Sequence, residues 1–329
     1  MPSFTSKLAL AGAVLASKAA AHGIVQGFAT DGGAYQEGYI LNDYYTKQNT
    51  GEIPAKAGWY EEATDNGFVS PDAYATSDII CHKNAENAAK TGTVSAGGKV
   101  DFYWTAWPES HIGPVLTYVA NCGTADDACS TVDKTTLKWV KIDEAGIDLD
   151  TQTWAATDLI ANNNTWSVTV PSSLAPGPYV FRHEIIAMHG AGSENGAQNY
   201  PFCINIAITG SGSESPEGTL GTELYTSTDP GILFNPYTTL TEYTIPGPAL
   251  FGSGSSTGGS TGSSGSSNST TPATPTASGS GSSPSATGGA TLPTSTGSPV
   301  TGGYADGGDD ESSCTKKARR HARDVKRRN

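Results

Sequence analysis

The chain has 329 residues and a formal net charge of -13, and its charged residues are unevenly distributed. Residues 22–250 carry nine Lys and Arg against twenty-seven Asp and Glu, whereas residues 315–329 carry eight Lys and Arg against one Asp. So acidic a domain argues against nucleic acid as a partner and favours a neutral one, such as an uncharged polysaccharide. No apolar run reaches the ~20 residues of a transmembrane anchor.

Residues 1–21 have the pattern of a secretory signal peptide. Lys7 is followed by a short apolar run, and Ala19-x-Ala21 fits the small-residue cleavage rule. Cleavage after Ala21 makes His22 the first residue of the mature chain. An uncleaved anchor is the alternative, but the apolar run is too short to span a bilayer. We therefore expect a secreted, extracellular protein in which disulfides persist.

Residues 22–251 have the composition of one globular domain. Helical periodicity is scarce, and short apolar stretches are bounded by Gly, Pro, Asn and Asp. The predicted strands cover residues 100–107, 166–170, 179–186 and 203–209. Many short strands separated by turns predict an all-β fold, an antiparallel β-sandwich. Residues 31–77 cannot be strand throughout, and loops of that length in a compact domain are usually functional.

The composition changes at Gly252. Residues 252–303 are almost entirely Gly, Ser, Thr, Pro and Ala, which predicts a flexible, O-glycosylated linker. Residues 304–329 are acidic and then basic, and we expect a disordered tail, either solvated or tethered to an anionic wall or membrane surface. Asn163 and Asn268 begin N-glycosylation acceptor patterns, which chance also produces in a chain rich in Ser and Thr.

The chain has five cysteines, of which four precede the linker and Cys314 lies in the tail. Five cysteines predict two disulfides and one unpaired thiol. Cys122 and Cys129 are close enough to close a local loop, in which case Cys81 and Cys203 would join distant parts of the domain.

A terminal His22 is the most informative residue, because its amine and imidazole can chelate one metal ion together. His111 follows a predicted strand in a loop rich in Pro and Gly, where a ligand is expected. Alone it would be a turn-stabilising residue, but with a terminal His22 a metal ligand is favoured. His183, among apolar residues, and His82, after Cys81, are interpreted as structural.

His189 lies at a predicted strand end and would share a face with His183 only if that strand continued unbroken. Gln198 and Tyr200 are two apart, so on a strand they could point at one site or simply form a half-buried pair. Two imidazoles and an amine give a nitrogen-rich, tetragonal field that favours Cu(II). A structural zinc site would require four protein ligands, usually including a thiolate, and would leave no open coordination position. Tyr200 would be a weak axial ligand, with His189 and Gln198 beside the ligands.

Several stretches resemble those of fungal lytic polysaccharide monooxygenases of auxiliary activity family 9, formerly glycoside hydrolase family 61. They follow the family order across the domain and lie at residues 22–27, 77–82, 104–115, 118–122, 182–186, 196–203 and 245–248.

The resemblance implies an immunoglobulin-like or fibronectin III-like β-sandwich with long loops and a flat substrate face. It implies one copper ion held by His22 and His111, with Tyr200 axial and with His189 and Gln198 acting in catalysis. The implied reaction is oxidative cleavage of cellulose or a related β-glucan at C1, C4 or both. It would use O2 or H2O2 and an external electron donor. The implied disulfides are Cys81–Cys203 and Cys122–Cys129, and Tyr237 would stack on sugar.

The chain departs from the family pattern in three places. Gly190 stands where Ser is usual, and Phe202 stands where Gln is common; neither is a ligand. The tail, with its single cysteine, cannot form the carbohydrate-binding module in which many relatives end. We expect a monomer without a nucleic-acid partner.

Two other functions compete with this interpretation. One is a non-catalytic copper-binding or glucan-binding protein, which would not need the set of His189, Gln198 and Tyr200. The other is a glycoside hydrolase with paired carboxylates, for which Glu109, Glu144 and Glu184 are the candidates.

Overall fold

The computed structural model describes residues 22–65 and 67–252, and within these ranges the chain forms twelve strands and three α-helices, besides four 3-10 turns. The strands are β1 (Val25–Thr30), β2 (Gln36–Glu37), β3 (Gly92–Ser95), β4 (Lys99–Trp104), β5 (Val115–Asn121), β6 (Lys138–Ala145), β7 (Ile147–Asp148), β8 (Thr153–Trp154), β9 (Thr165–Thr169), β10 (Gly177–Ala187), β11 (Gln198–Thr209) and β12 (Thr219–Leu220). The helices are α1 (Leu41–Thr50), α2 (Asp78–Cys81) and α3 (Ala155–Ala161).

The predicted signal peptide lies outside the described residues. So do, beyond Gly252, the predicted linker and tail with Asn268 and Cys314. Among residues 22–65 and 67–252, no helix is both long and apolar enough to cross a membrane.

The strands form a β-sandwich, which confirms the predicted fold. One sheet has the order β2-β1-β4-β9, the other has the order β12-β6-β5-β10-β11-β3, and β7 and β8 form a small hairpin. Phe28 and Phe102 of the first sheet and Phe181 and Ile204 of the second belong to one buried cluster. One pairing differs from the expected antiparallel pattern, because β3 runs parallel to β11 at the sheet edge.

The six-stranded sheet is covered on both faces, which explains its nearly continuous apolar strands. In β5, Val115 and Val119 pack between the two sheets, whereas Leu116 and Tyr118 pack on the opposite face. The predicted long loop supplies part of that outer cover, including the buried Trp59. The same loop contains α1, which the sequence does not predict.

The predicted strand boundaries need small corrections. The strand predicted at residues 100–107 ends at Trp104. Beyond it the chain bends into a loop, where the Trp107 N–H donates to the Asn164 side-chain oxygen instead of a strand carbonyl. The strand predicted at residues 203–209 begins earlier, at Gln198, so that Tyr200 lies within it.

Two disulfides join the described cysteines in the pairs that the family resemblance implies. Cys81–Cys203 joins residues 122 positions apart and ties α2 to β11. Cys122–Cys129 closes a loop of separation 7 directly after β5. The first fixes the outer cover of the large sheet, and the second is local.

A buried ion pair connects the large sheet to its cover. Arg182 and Glu184 are both fully buried, with Nη1–Oε2 and Nη2–Oε1 distances of 2.6 and 2.8 Å. Arg182 also donates to the Ile79 carbonyl at 2.9 Å, and Glu184 accepts from Asn199 Nδ2 at 2.7 Å. Glu184 therefore holds a structural position and is not exposed to a substrate.

We expect Glu184→Ala to lower the free energy of unfolding by about 3–5 kcal/mol, because it leaves a buried guanidinium without its counter-charge. Chemical denaturation measures the change. Glu217→Ala is the control, since its side chain is 94% exposed and lies 3.9 Å from Lys138 Nζ, and exposed pairs contribute little. Equal losses in the two variants would contradict this view of the ion pair.

Candidate metal centre

The fold brings His22 and His111 together. Their ring centroids are 5.2 Å apart, with the rings inclined at 73°. The pairing of β1 with β4 brings the two histidines together. Ile24, the residue directly before β1, extends this pairing. Its N–H donates to Thr105 Oγ1 at 3.0 Å, and the Thr105 N–H donates to its carbonyl at 2.9 Å. The segment that starts at His22 is thus held beside the loop that follows β4.

The loop that carries His111 is held at both ends. The Trp107 N–H donates to Asn164 Oδ1 and its indole N–H donates to the His111 carbonyl, both at 2.9 Å. On the other side, Gly113 approaches β10 so closely that a Cβ atom there would lie 1.9 Å from the Ile186 carbonyl oxygen. Only glycine fits this approach, and it fixes the exit of the loop.

The other predicted site residues surround this histidine pair. The His189 ring lies 4.2 Å from the His111 ring, and the Tyr200 ring lies 5.6 Å from the His22 ring. Gln198 and Tyr200 share a face of β11, and the Tyr200 hydroxyl donates to Gln198 Oε1 at 2.9 Å. The structure therefore places all five of these side chains in one cluster.

The strand that carries His183 does not continue to His189, so the condition for a common face of the two histidines is not met. β10 ends at Ala187, so His189 lies in the turn that follows. His183 is fully buried, stacks on Phe102 at 4.2 Å and is hydrogen-bonded to Thr117 Oγ1 at 2.8 Å. These contacts agree with its structural interpretation.

His82 is also buried, as expected for a structural residue, and its Nε2 lies 3.0 Å from the Gly67 carbonyl.

The nitrogen atoms of the cluster are suited to hold a metal ion. Among the described residues, His111 Nε2 and His189 Nδ1 are buried polar atoms without a hydrogen-bond partner. Burial, together with His189 and His22, lowers the pKa of His111 to about 4, so its imidazole is neutral at neutral pH, the form that binds metals. Burial and the charge of Asp65 raise the pKa of Tyr200, so its phenol keeps its proton.

Ser110 is a residue that sequence reasoning missed. Its Oγ lies 3.1 Å from His111 Nδ1, on the side of the ring away from the unpartnered Nε2. If the hydroxyl accepts the Nδ1 proton, the Nε2 lone pair is free for a metal ion. Adjacency to His111 in the sequence was the available signal, but it does not reveal the direction of the hydroxyl.

Phe68 was missed as well. It is 40% exposed, and its ring lies 6.2 Å from the His22 ring and 6.1 Å from the Tyr200 ring. Backbone bonds between Val69 and Asn199 hold it there. Tyr237, which was predicted, is 72% exposed, and its hydroxyl donates to the His189 carbonyl at 3.0 Å. Exposed aromatic rings thus adjoin the cluster next to His22 and next to His189.

Gly190 and Phe202, where the chain differs from the usual family pattern, have different surroundings. At Gly190, a Cβ atom would lie 2.4 Å from the Gly196 carbonyl oxygen, so a serine would need the turn between these glycines to move. Phe202 is buried against Trp104 and His82.

Asn163 is exposed in the turn after α3, where its acceptor pattern is accessible.

The hydrolase alternative finds no support in this geometry. Glu184 is buried in its ion pair with Arg182, Glu144 pairs with Lys141 Nζ at 2.7 Å, and Glu109 is exposed. These carboxylates do not form the facing pair that glycoside hydrolysis requires.

Comparison with known proteins identifies the family. The model of Auxiliary Activity family 9, formerly glycoside hydrolase family 61, matches residues 22–244. The chain is 61% identical over 230 residues to AA9 family lytic polysaccharide monooxygenase D of Botryotinia fuckeliana, covering 70% of this chain and 92% of that protein. It is 57% identical over 245 residues to lytic polysaccharide monooxygenase cel61B of Hypocrea jecorina, covering 74% and 94%.

A solved structure agrees with the sequence comparisons. The structure described as a glycoside hydrolase family 61 member, Cel61B from Hypocrea jecorina, matches with a TM-score of 0.67 at 57% identity. The match covers 70% of this chain and 100% of that chain. The chain therefore belongs to Auxiliary Activity family 9, which confirms the predicted family. As a member it is a monooxygenase, an enzyme of the oxidoreductase class.

We expect the metal-free protein to hold the His111 ring with its proton on Nδ1 at neutral pH, because Ser110 Oγ can accept a hydrogen bond there, whereas the buried Nε2 has no acceptor within reach among the described residues. Nitrogen-15 NMR of the imidazole nitrogens measures the tautomer. Ser110→Ala should leave a mixture of the two neutral tautomers, whereas Ser110→Thr, which keeps the hydroxyl, should preserve the wild-type spectrum. A wild-type ring protonated on Nε2 would contradict this prediction.

Proposed function

We propose that this protein is a secreted, copper-dependent lytic polysaccharide monooxygenase that oxidatively cleaves the β-1,4-glucan chains of cellulose. The main observation in support is the proximity of His22 and His111. The His111 imidazole is neutral, and its buried Nε2 has no hydrogen-bond partner among the described residues. The printed names of the relatives, lytic polysaccharide monooxygenases, support a polysaccharide substrate.

The donor set supports copper. Within the described ranges, no cluster of three or more His, Cys, Asp or Glu side chains is placed to hold a metal ion. The two imidazoles of His22 and His111 would therefore need another donor, and cleavage after Ala21 would supply the amine of His22. Three nitrogen ligands bind Cu(II) more strongly than they bind Mg(II) or Ca(II), which prefer oxygen ligands. The protonated Tyr200 phenol would be a weak additional ligand.

Copper, when bound here, would supply the one-electron chemistry that O2 or H2O2 requires before a C–H bond can be oxidised. With O2, net hydroxylation of the carbon at C1 or C4 consumes two electrons from an external donor and two protons, and releases water. The hydroxylated carbon then forms a carbonyl, a lactone at C1 or a ketone at C4, and expels the glycosidic oxygen, which leaves as a hydroxyl group of the other fragment. The glycosidic bond thus breaks without hydrolysis.

The side chains beside the ligands would orient the oxygen co-substrate. The Tyr200 hydroxyl donates to Gln198 Oε1, which fixes the Gln198 amide and leaves its Nε2 as the available donor. Burial and the nearby His22 lower the pKa of His189, so a neutral imidazole faces the cluster and can hold or accept a proton. We assign His189, Gln198 and Tyr200 to the catalytic set on these grounds.

The surroundings of the cluster suit an uncharged chain of sugars. Phe68 and Tyr237 are exposed rings on which the apolar faces of glucose units can stack. The acidic domain would repel an anionic polymer, whereas a neutral glucan has no charge to oppose it.

Mass spectrometry of the soluble products from amorphous cellulose tests the function. We expect the copper-loaded protein to release aldonic acid or 4-ketoaldose oligomers only when ascorbate is present, and the product type shows whether C1, C4 or both are attacked. His111→Ala, which removes one ligand, should abolish the products. Plain oligosaccharides with and without ascorbate would indicate a hydrolase. Bound copper without products would favour a non-catalytic copper-binding protein.

A further inference from the structure

Glu61 is a buried carboxyl group in the long loop that carries Phe68, and the function proposed above does not use it. The residue is 1% exposed. Its Oε2 accepts from the Ala63 N–H, whereas its Oε1 has no hydrogen-bond partner among the described residues. Ionising this group is costly, because the charge leaves water and one of the two oxygens stays unpaired.

His82 lies beside Glu61, but its hydrogen bonds keep it from supplying a counter-charge. Its Nδ1 is 3.9 Å from Glu61 Oε2 and accepts from the Lys83 N–H at 2.8 Å. The ring proton is therefore on Nε2, which donates to the Gly67 carbonyl at 3.0 Å. Burial lowers the pKa of His82 to about 4, so the ring is uncharged at neutral pH.

The other groups around Glu61 leave its carboxyl neutral over a wide pH range. Burial raises the pKa of Glu61 to about 7, and Asp65 and Glu62 add to the rise, whereas bonds from Ala63 and Tyr39 oppose it. Tyr39 keeps its proton, because burial and the charge of Glu61 raise its own pKa. The titratable and charged groups that face this cluster are Tyr39 before α1, Asp78 in α2, His82 and Lys83 after α2, and Glu62 and Asp65 in the loop.

This buried cluster is connected to the exposed ring of Phe68. Gly67, whose carbonyl is bonded to His82, directly precedes Phe68, and the backbone bonds between Val69 and Asn199 follow it. The ring beside His22 is thus held on one side by β11 and on the other side by His82.

Ionisation of Glu61 would weaken the second of these two supports. A buried carboxylate without a counter-charge gains free energy by moving into water. That movement would break the bond to the Ala63 N–H and remove the packing against His82, whose Nε2 holds the Gly67 carbonyl. The support from β11 contains no titratable side chain and would remain.

We propose that Glu61 in its neutral form is a positioning residue for Phe68, and that its ionisation releases the ring from its place beside His22. This inference rests on the proposed function, in which Phe68 stacks on sugar. The protein would therefore bind a neutral glucan more weakly as the pH rises, although the glucan itself carries no titratable group.

The direction of the pH effect follows from the shift at Glu61. Because the folded protein raises the pKa of this carboxyl from 4.5 to about 7, the support is complete below pH 4.5 and is lost as the pH rises to 7. Between these values, local opening becomes up to about tenfold more favourable per pH unit, since the opened segment releases one proton.

Hydrogen exchange of the full chain, followed by mass spectrometry at pH 5 and pH 8, tests the positioning role. After correction for the intrinsic exchange rates, the measurement gives an equilibrium constant for local opening of the segment around Glu61 and Phe68. We expect this opening constant to be at least tenfold larger at pH 8 than at pH 5. Glu61→Gln, which cannot ionise, should show the same opening constant at both pH values.

Glu62→Gln is the matched control, since it makes the same chemical change at the neighbouring position. Glu62 accepts from Asn84 Nδ2 at 2.9 Å, and this bond lowers its pKa, so it stays ionised from pH 5 to pH 8. The control should keep the wild-type ratio of opening constants. Glu61→Met is a second side chain of similar volume that does not titrate, and it keeps the test valid if Glu61→Gln folds poorly.

The effect on sugar binding is measured by isothermal titration of the copper(II)-loaded protein with cellohexaose, without reductant. We expect the wild-type affinity to fall several-fold from pH 5 to pH 8, and the fall to be smaller in Glu61→Gln. A wild-type opening constant that does not change with pH, an unchanged pH dependence in Glu61→Gln, or equal falls in affinity in the two proteins would each overturn the positioning role.

Failure of this inference is distinguishable from failure of the proposed function. Ascorbate-dependent cleavage of cellulose at pH 5 would persist if Glu61 had no positioning role. If that cleavage were absent, the proposed function would fail, whereas the hydrogen-exchange comparison would still decide whether Glu61 controls the segment of Phe68.

Discussion

The pairing of β1 with β4 carries the start of the described chain to the loop that contains His111. The reciprocal bonds between Ile24 and Thr105 extend this pairing, so His22 lies only two residues from an anchored position. Trp107, bonded to Asn164 and to the His111 carbonyl, fixes the loop on the other side. Because each anchor is part of the sheet register or contacts it, the two imidazoles meet wherever the sandwich is correctly folded.

Strand β11 connects this surface site to the interior through the alternation of its side chains. Gln198 and Tyr200 face the histidine cluster, whereas Asn199 between them points to the opposite face of the sheet and donates to Glu184, the partner of Arg182. The Asn199 backbone also pairs with Val69, which places Phe68 beside His22. One buried ion pair thus supports the strand that carries candidate catalytic groups and the loop that carries an exposed ring.

The sequence predicted what local periodicity and spacing encode. The apolar strands, and the common face of Gln198 and Tyr200, follow from a repeat of two residues. Helix α1 was not predicted because it has no apolar stripe, and Asp43 is its only buried residue. Phe68 had no signal, since its place depends on a bridge between Val69 and Asn199, 130 positions apart. The parallel pairing of β3 likewise depends on long-range packing, which a single sequence does not display.

The proposed copper site requires a mature chain that begins at His22 and that holds copper through the amine and imidazole of His22 and through His111. Adding one alanine before His22 keeps both imidazoles and converts the amine nitrogen of His22 into a peptide nitrogen. Electron paramagnetic resonance and competitive copper titration would compare the two proteins, with each N-terminus verified by mass spectrometry. We expect one tightly bound Cu(II) with nitrogen hyperfine coupling in the unextended protein and an affinity weakened by orders of magnitude in the extended one. Equal affinities and identical spectra would contradict this expectation.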